Sequence, residues 1–141
     1  MLFAADALLL GRLTYEGFAA SWPSRSGDPI ADRFNNLPKY VASRTLTAPL
    51  EWNATLIDED VAEEVTRLKA QSGGDILKFG TGELDRTLMQ HTLVDEFHFW
   101  IYPVAVGAGQ RLFERIDTTH LELVDTTTFA SGIVALVYTQ K

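Results

Sequence analysis

Short apolar runs that lead directly into helix patterns are the feature that most restricts the fold of this chain. Residues 7–10 (Ala-Leu-Leu-Leu) end at Gly11, and a helix is predicted over 12–20. A second strand is predicted over 75–79, followed by Gly80-Thr81-Gly82 and a helix with Leu84 and Leu88 as its apolar positions. Such short runs suit strands that are buried on both faces, as parallel strands are. The pattern therefore predicts an α/β fold.

The rest of the chain extends this prediction. Further strands are predicted over 39–43 and 54–57, a short helix over 30–36, and a helix over 58–71 that Asp60 can cap, with Glu63 at the capping-box spacing. Residues 97–104 are apolar on both alternating faces, which predicts a central strand. Residues 120–129 and 133–140 predict a hairpin that turns at 130–132. We expect a single α/β domain over residues 1–141: a mixed, mostly parallel sheet flanked by helices, with a C-terminal antiparallel hairpin.

Charge and cysteine content exclude several classes of function. The chain has 12 Lys and Arg against 19 Asp and Glu, a net charge of −7, and phosphate neutralisation along nucleic acid needs clustered cations. It has no cysteine, and its three histidines show no metal-ligand spacing. The N-terminus lacks a basic region, and no apolar run reaches the length of a membrane span. We expect a cytoplasmic protein with no metal, no nucleic-acid partner and no membrane attachment.

Two junctions between a strand and a helix are the candidate binding elements. They are the segments 10–15 (Leu-Gly-Arg-Leu-Thr-Tyr) and 80–84 (Gly-Thr-Gly-Glu-Leu). A helix N-terminus offers unpaired N–H groups to a phosphate, and glycine lets the phosphate approach the backbone. Taken singly, each glycine is also explained as a turn residue, and the polar cluster 43–45 as an exposed turn. Two such junctions in one small domain favour a dinucleotide, bound at the carboxyl ends of the strands.

The same segments resemble a known superfamily. Residues 11–15 (Gly-Arg-Leu-Thr-Tyr) resemble the Gly-Arg-x-Thr-aromatic segment of dihydrofolate reductases, and Ser43-Arg44-Thr45 resembles their Ser-Arg step, which holds the 2′-phosphate of NADPH. Residues 79–82 lie where those enzymes have a Gly-Gly turn against the pyrophosphate. The segments 94–97, 103–109 and 112–113 are similar to one branch, the RibD C-terminal domain family of riboflavin-biosynthesis reductases.

This resemblance implies an NADPH-dependent reductase. The reaction would transfer a hydride to a C=N or C=O bond of a pterin, a pyrimidine or a similar heterocycle, with a small molecule as the partner. The implied contacts are phosphate at the first junction, the 2′-phosphate at residues 43–45, and the pyrophosphate at the second junction. The cofactor-binding residues would be Gly11, Arg12, Thr14, Ser43, Arg44, Thr45, Gly80, Thr81, Gly82, Glu83 and Leu84. The resemblance identifies no proton donor and no other catalytic residue.

The chain departs from the family pattern in two places. Thr81 stands where the family prefers glycine, and no segment matches the family's first strand or its Leu-Asp-Gly-like loop. We therefore expect the sequence to begin after that strand and to form a homodimer, since exposed sheet edges recruit a second chain. Two other functions stay open: a catalytically silent nucleotide-binding or dimerisation protein, and a flavin protein. Flavin is the weaker alternative, because FMN has no 2′-phosphate for residues 43–45.

Overall fold

The strands of this protein form two separate sheets. The computed structural model describes residues 2–71, 73–80 and 82–141. The elements in chain order are β1 (Ala5–Gly11), α1 (Arg12–Ser21), α2 (Pro29–Asn36), β2 (Lys39–Ala42), β3 (Ala54–Ile57), α3 (Val61–Ala70), β4 (Asp75–Lys78), α4 (Glu83–Gln90), β5 (Phe97–Ile101), β6 (Leu121–Thr128) and β7 (Val134–Gln140). The first four strands form one sheet and the last three form the other.

The first sheet is parallel throughout and has the order β3-β2-β1-β4. β1 lies inside it, and its side chains alternate between two hydrophobic clusters. Leu8 and Leu10, both fully buried, pack with Tyr15 of α1 and Phe34 of α2. Leu9 faces the opposite cluster, which contains residues of α3 and α4. The predicted strand with two buried faces is confirmed, and helices cover both faces of the sheet.

Two of the helices begin at side-chain caps. Asp28 precedes α2 and accepts a hydrogen bond from the Ile30 N–H at 2.9 Å. Asp60 precedes α3 and accepts from the Glu63 N–H at 3.1 Å, as its spacing predicted. These bonds satisfy N–H groups that have no partner inside the helix.

The second sheet is antiparallel and has the order β5-β7-β6. The predicted hairpin is confirmed, and it turns at Gly132, where φ is +92°. The prediction that residues 97–104 form a central strand is wrong. β5 ends at Ile101 and lies at an edge of its sheet, with Trp100 and Ile101 about half exposed. Pro103, which has no N–H to donate to a ladder, lies inside the predicted range.

The two sheets together keep the expected α/β class. A parallel sheet flanked by helices is followed by antiparallel strands. The mixed sheet expected from the sequence is divided, however, because β4 pairs with β1 alone and β5 pairs with β7 alone within the described ranges. Each therefore has one open edge. None of the described helices is long and apolar enough to span a membrane.

Candidate functional site

The three sequence-predicted binding segments lie side by side at one end of the parallel sheet. They follow the carboxyl ends of β2, β1 and β4, which are neighbours in the order β2-β1-β4. In the register of these strands Gly11 is opposite Ala42, and Leu9 is opposite Lys78. The residues that follow these strand ends are thereby brought to the same edge. In open parallel sheets this is the edge at which ligands bind.

The first junction connects β1 to α1. Gly11 is the last residue of β1 and the N-cap of α1, and it gives that helix no capping side chain. A Cβ added to Gly11 would meet nothing within 4 Å, so the space in front of the helix start is open. Arg12 is exposed and forms an ion pair with Glu16 at 3.1 Å. That pair is one turn apart on the helix surface and adds little to stability, which leaves the guanidinium able to turn to a ligand.

The Thr14 side chain, in the first junction, lies close to Gly80 of the second junction. A Cβ on Gly80 would lie 2.7 Å from the Thr14 Oγ1, and Gly80 has a φ of +79°. Side chains are disfavoured at this φ, and the Thr14 hydroxyl would have to move to admit a Cβ. Gly80 is therefore required by the local structure, and its backbone approaches the start of α1.

The segment after β2 forms a tight polar turn. The Ser43 Oγ accepts hydrogen bonds from the N–H groups of Thr45 and Leu46, both at 3.1 Å. The hydroxyl groups of Ser43 and Thr45 are 3.3 Å apart. Arg44, between them, is exposed, and it has no ion-pair partner among the residues that the structure describes. The turn thus presents a free guanidinium beside the first junction.

The second junction connects β4 to α4. Gly82 is the N-cap of α4 in an extended conformation, and a Cβ there would meet nothing within 4 Å. Its N–H donates to the Asp85 Oδ2 at 2.7 Å, and the Asp85 N–H donates to the Gly82 carbonyl at 3.1 Å. The helix start is held by these two hydrogen bonds and is open where a Gly82 Cβ would stand. Thr81, a predicted contact, lies outside the described residues.

Lys78 and Asp85 are site residues that the sequence analysis missed. The Lys78 Nζ lies 2.8 Å from the Gly80 carbonyl oxygen, to which it donates, and 2.8 Å from the Asp85 Oδ1. The sequence held two indications of this arrangement: a lysine in a strand that is otherwise half-buried, and an aspartate at the third position of a helix, where capping boxes place an acidic residue.

The last two predicted residues differ in what they offer a ligand. The Leu84 side chain is buried in the core cluster on the α3–α4 face, so its backbone alone is available at the site. Glu83 is exposed, and its Oε1 is 2.5 Å from the Arg115 Nη2. A cavity of about 210 Å³ adjoins this pair and is lined by Gly82, Gln110, Arg111 and Leu112, among others. Arginines thus lie next to the second junction, where an anion would be bound.

Comparison with known proteins gives consistent matches over nearly the whole chain. A model of the family described as "RibD C-terminal domain" matches residues 1–135. Two proteins of Bacillus subtilis (strain 168), both named as uncharacterized, are similar in sequence. YyaP is 34% identical over 139 residues, covering 94% of this chain and 73% of YyaP. YwjB is 30% identical over 129 residues, covering 91% of this chain and 70% of YwjB.

Solved structures with the same fold are more distant in sequence. A putative riboflavin biosynthesis protein from Shewanella sp. PV-4 superposes with a TM-score of 0.78 at 19% identity, covering 99% of this chain and 76% of the other. A pyrimidine reductase-like protein from Corynebacterium diphtheriae gives 0.65 at 15% identity, covering 97% and 76%. RibD from Acinetobacter baumannii gives 0.66 at 15% identity, covering 97% of this chain and 47% of that one. At these identities the structures establish the fold alone.

Proposed function

The chain belongs to the RibD C-terminal domain family, with its dihydrofolate-reductase-like fold, and we propose that it is an NADPH-dependent reductase of a small heterocyclic molecule. The observation that supports this most directly is the adjacency of three segments suited to phosphate at the carboxyl ends of β2, β1 and β4. A dinucleotide carries several phosphate groups and needs several such segments, whereas a mononucleotide needs one.

The residues at this edge fit the cofactor in shape and in charge. Gly11 and Gly82 each face open space where a Cβ would stand, so a phosphate can approach either backbone. Arg44 is exposed and unpaired within the described ranges, and its guanidinium matches a 2′-phosphate in geometry. Ser43 and Thr45 shape the turn that presents Arg44.

The first turns of two helices complete the proposed contacts. Arg12 and Thr14 lie in the first turn of α1, and the N–H groups of Glu83 and Leu84 begin α4. Both helix starts direct the positive end of a helix dipole toward this edge of the sheet. Bound NADPH would supply the hydride, and the protein's own residues would hold and orient it. We propose a C=N or C=O bond of a pterin, a pyrimidine or a similar ring as the acceptor.

We further propose that the protein acts as a homodimer. Several large apolar side chains of the antiparallel sheet and its hairpin are about half exposed, among them Trp100, Ile101, Leu123, Val124 and Phe129. Exposed apolar patches of this kind are typical of protein interfaces. The open edges of β4 and β5 add unpaired backbone groups that a second chain can cover.

The alternative of a catalytically silent nucleotide-binding protein stays open, because neither described cavity has the volume of a typical substrate pocket. The cavity beside the second junction measures about 210 Å³, whereas pockets for small organic ligands are about 300–1,000 Å³. The other described cavity, about 260 Å³, lies at the amino ends of the strands, by Asp6 and Pro38. Turnover of NADPH with an artificial electron acceptor would distinguish a reductase from a silent binder.

Replacement of Arg44 tests the cofactor assignment. We expect the intact protein to bind NADPH more tightly than NADH, and Arg44→Ala to remove most of the difference, since a charge-assisted hydrogen bond contributes about 1.5–3 kcal/mol. Isothermal titration calorimetry with both cofactors measures this. Arg67→Ala removes an exposed arginine from α3 and is the matched control. Equal affinity of the intact protein for NADPH and NADH would refute the assignment, and tighter binding of FMN would favour the flavin alternative.

A further inference from the structure

The ion pair of Lys78 with Asp85 joins the last residue of β4 to the first turn of α4. The Nζ–Oδ1 distance is 2.8 Å, and the two side chains are 16% and 17% exposed. The other ion pairs of the described chain each have at least one side chain that is more than 40% exposed. The pair of Lys78 and Asp85 is therefore the one most withdrawn from water.

Lys78 and Asp85 also each form a hydrogen bond with the backbone of a glycine. Lys78 donates to the Gly80 carbonyl oxygen at 2.8 Å, and Asp85 accepts the Gly82 N–H at 2.7 Å. The ion pair thus connects the two glycines that flank residue 81. We name this arrangement the brace: Lys78, Asp85 and their bonds to Gly80 and Gly82.

Stability alone is a poor explanation for the brace. Withdrawing two charges from water costs about as much free energy as their attraction returns, and apolar residues of similar volume often stabilise a protein as well or better. What an apolar pair cannot supply is a fixed direction for the Gly80 carbonyl and the Gly82 N–H. The geometry therefore points to a role in setting the conformation of the turn.

We propose that Lys78 and Asp85 are positioning residues that fix the turn for the pyrophosphate of the cofactor, a role that depends on the proposed function. The brace directs the Gly82 N–H inward, to Asp85, while the outer side of Gly82 stays open. The next N–H groups, of Glu83 and Leu84, have no partner inside the helix and are left for a phosphate. Gly80 and Gly82 are held before the ligand arrives, which reduces the ordering cost of binding.

Three variants test this role against a structural one. Lys78→Met leaves Asp85 without its cation, and we expect a lower melting temperature. Lys78→Met combined with Asp85→Leu removes both charges, and we expect the melting temperature to recover in part, because the unpaired charge is gone while the Gly82 N–H has lost its acceptor. NADPH affinity should stay at least about tenfold below that of the intact protein, since the brace is absent. Lys78→Arg keeps the cation and should retain most of the affinity. Lys69→Met breaks the more exposed pair of Lys69 with Asp95 and is the control for charge.

Two further measurements separate the possible outcomes. The first is binding of 2′-AMP, which has a 2′-phosphate and no pyrophosphate, and whose affinity should be the same in all variants. The second is hydrogen exchange of the Gly82 amide without cofactor, which should be slow in the intact protein and fast in the double variant.

Four results would overturn the proposal. NADPH affinity that recovers with the melting temperature in the double variant would make the pair merely structural. An unprotected Gly82 amide in the intact protein would mean that Asp85 does not hold this N–H group. Intact protein that binds 2′-AMP but not NADPH would exclude a pyrophosphate at this turn. Intact protein that binds neither compound would refute the proposed function itself, and the role of the brace with it.

Discussion

At the scale of single residues, Lys39 is a charged side chain in the core. It begins β2, and it is fully buried. Its Nζ donates to the Asn35 carbonyl at 3.0 Å, in the last turn of α2, and lies 4.0 Å from the centre of the Trp52 ring. These contacts partly replace the water that burial removes. Burial nevertheless lowers the pKa of Lys39 from its usual 10.5 to about 8.

This lowered pKa predicts a stability that rises with pH. Between about pH 8 and pH 10.5 the unfolded chain keeps the Lys39 proton and the folded chain has released it, so the free energy of unfolding increases with pH in that window. The gain is at most about 3.5 kcal/mol, because one pKa unit corresponds to about 1.4 kcal/mol. Urea unfolding at several pH values should show this rise in the intact protein and a smaller one in Lys39→Met. Lys141→Met, at an exposed residue, is the control. An equal rise in the intact protein and Lys39→Met would contradict the prediction.

The residue types in the sequence predicted the segments suited to phosphate, but they did not predict the ion pair beside the second junction. Gly11 ends β1, while Arg44 and Gly82 lie in the segments that follow β2 and β4; their contacts with a cofactor stay a prediction. Lys78 and Asp85 were missed because their role depends on an ion pair across a turn, and seven positions along the chain do not reveal such a contact. Residues that can bind a phosphate are recognisable from the sequence. The residues that hold them in position are harder to recognise, because their role depends on contacts made in the fold.

At the scale of elements, the sequence predicted the strands and helices around the parallel sheet closely. The predicted strand over 54–57 has the bounds of β3, Asp60 caps α3 as predicted, and the predicted apolar positions of α4, Leu84 and Leu88, are buried. These elements are fixed by local features: a capping aspartate, an apolar period, a glycine at a strand end. The strand over 97–104 was predicted as central because both of its faces are apolar, and β5 shows that an apolar strand can lie at an edge. Sheet position depends on distant segments, which a local pattern does not contain.

At the scale of the whole molecule, the exposed apolar side chains predict self-association. We expect a homodimer at micromolar concentration, measured by light scattering at physiological salt. Replacing Trp100 and Val124, which are 51% and 58% exposed, with Lys should shift the protein toward monomer, since an unpaired charge is costly in a buried interface. Thr47→Lys, at an exposed position outside the antiparallel sheet, is the control. A stable monomer of the intact protein would contradict the prediction.

The division into two sheets has a consequence for how the molecule melts. No hydrogen-bonded ladder joins β4 to β5 in the described chain. Among the described polar contacts, Arg115 donates to Glu83 of α4 at 2.5 Å, and Lys69 of α3 pairs with Asp95, just before β5, at 2.8 Å. Parts of a protein that share few contacts can lose structure at different free energies. Calorimetry of the 141-residue chain should therefore find a van't Hoff enthalpy below the calorimetric one, the mark of a transition that is not two-state. Equal enthalpies would mean that contacts such as these are enough to make the two sheets melt as one cooperative unit.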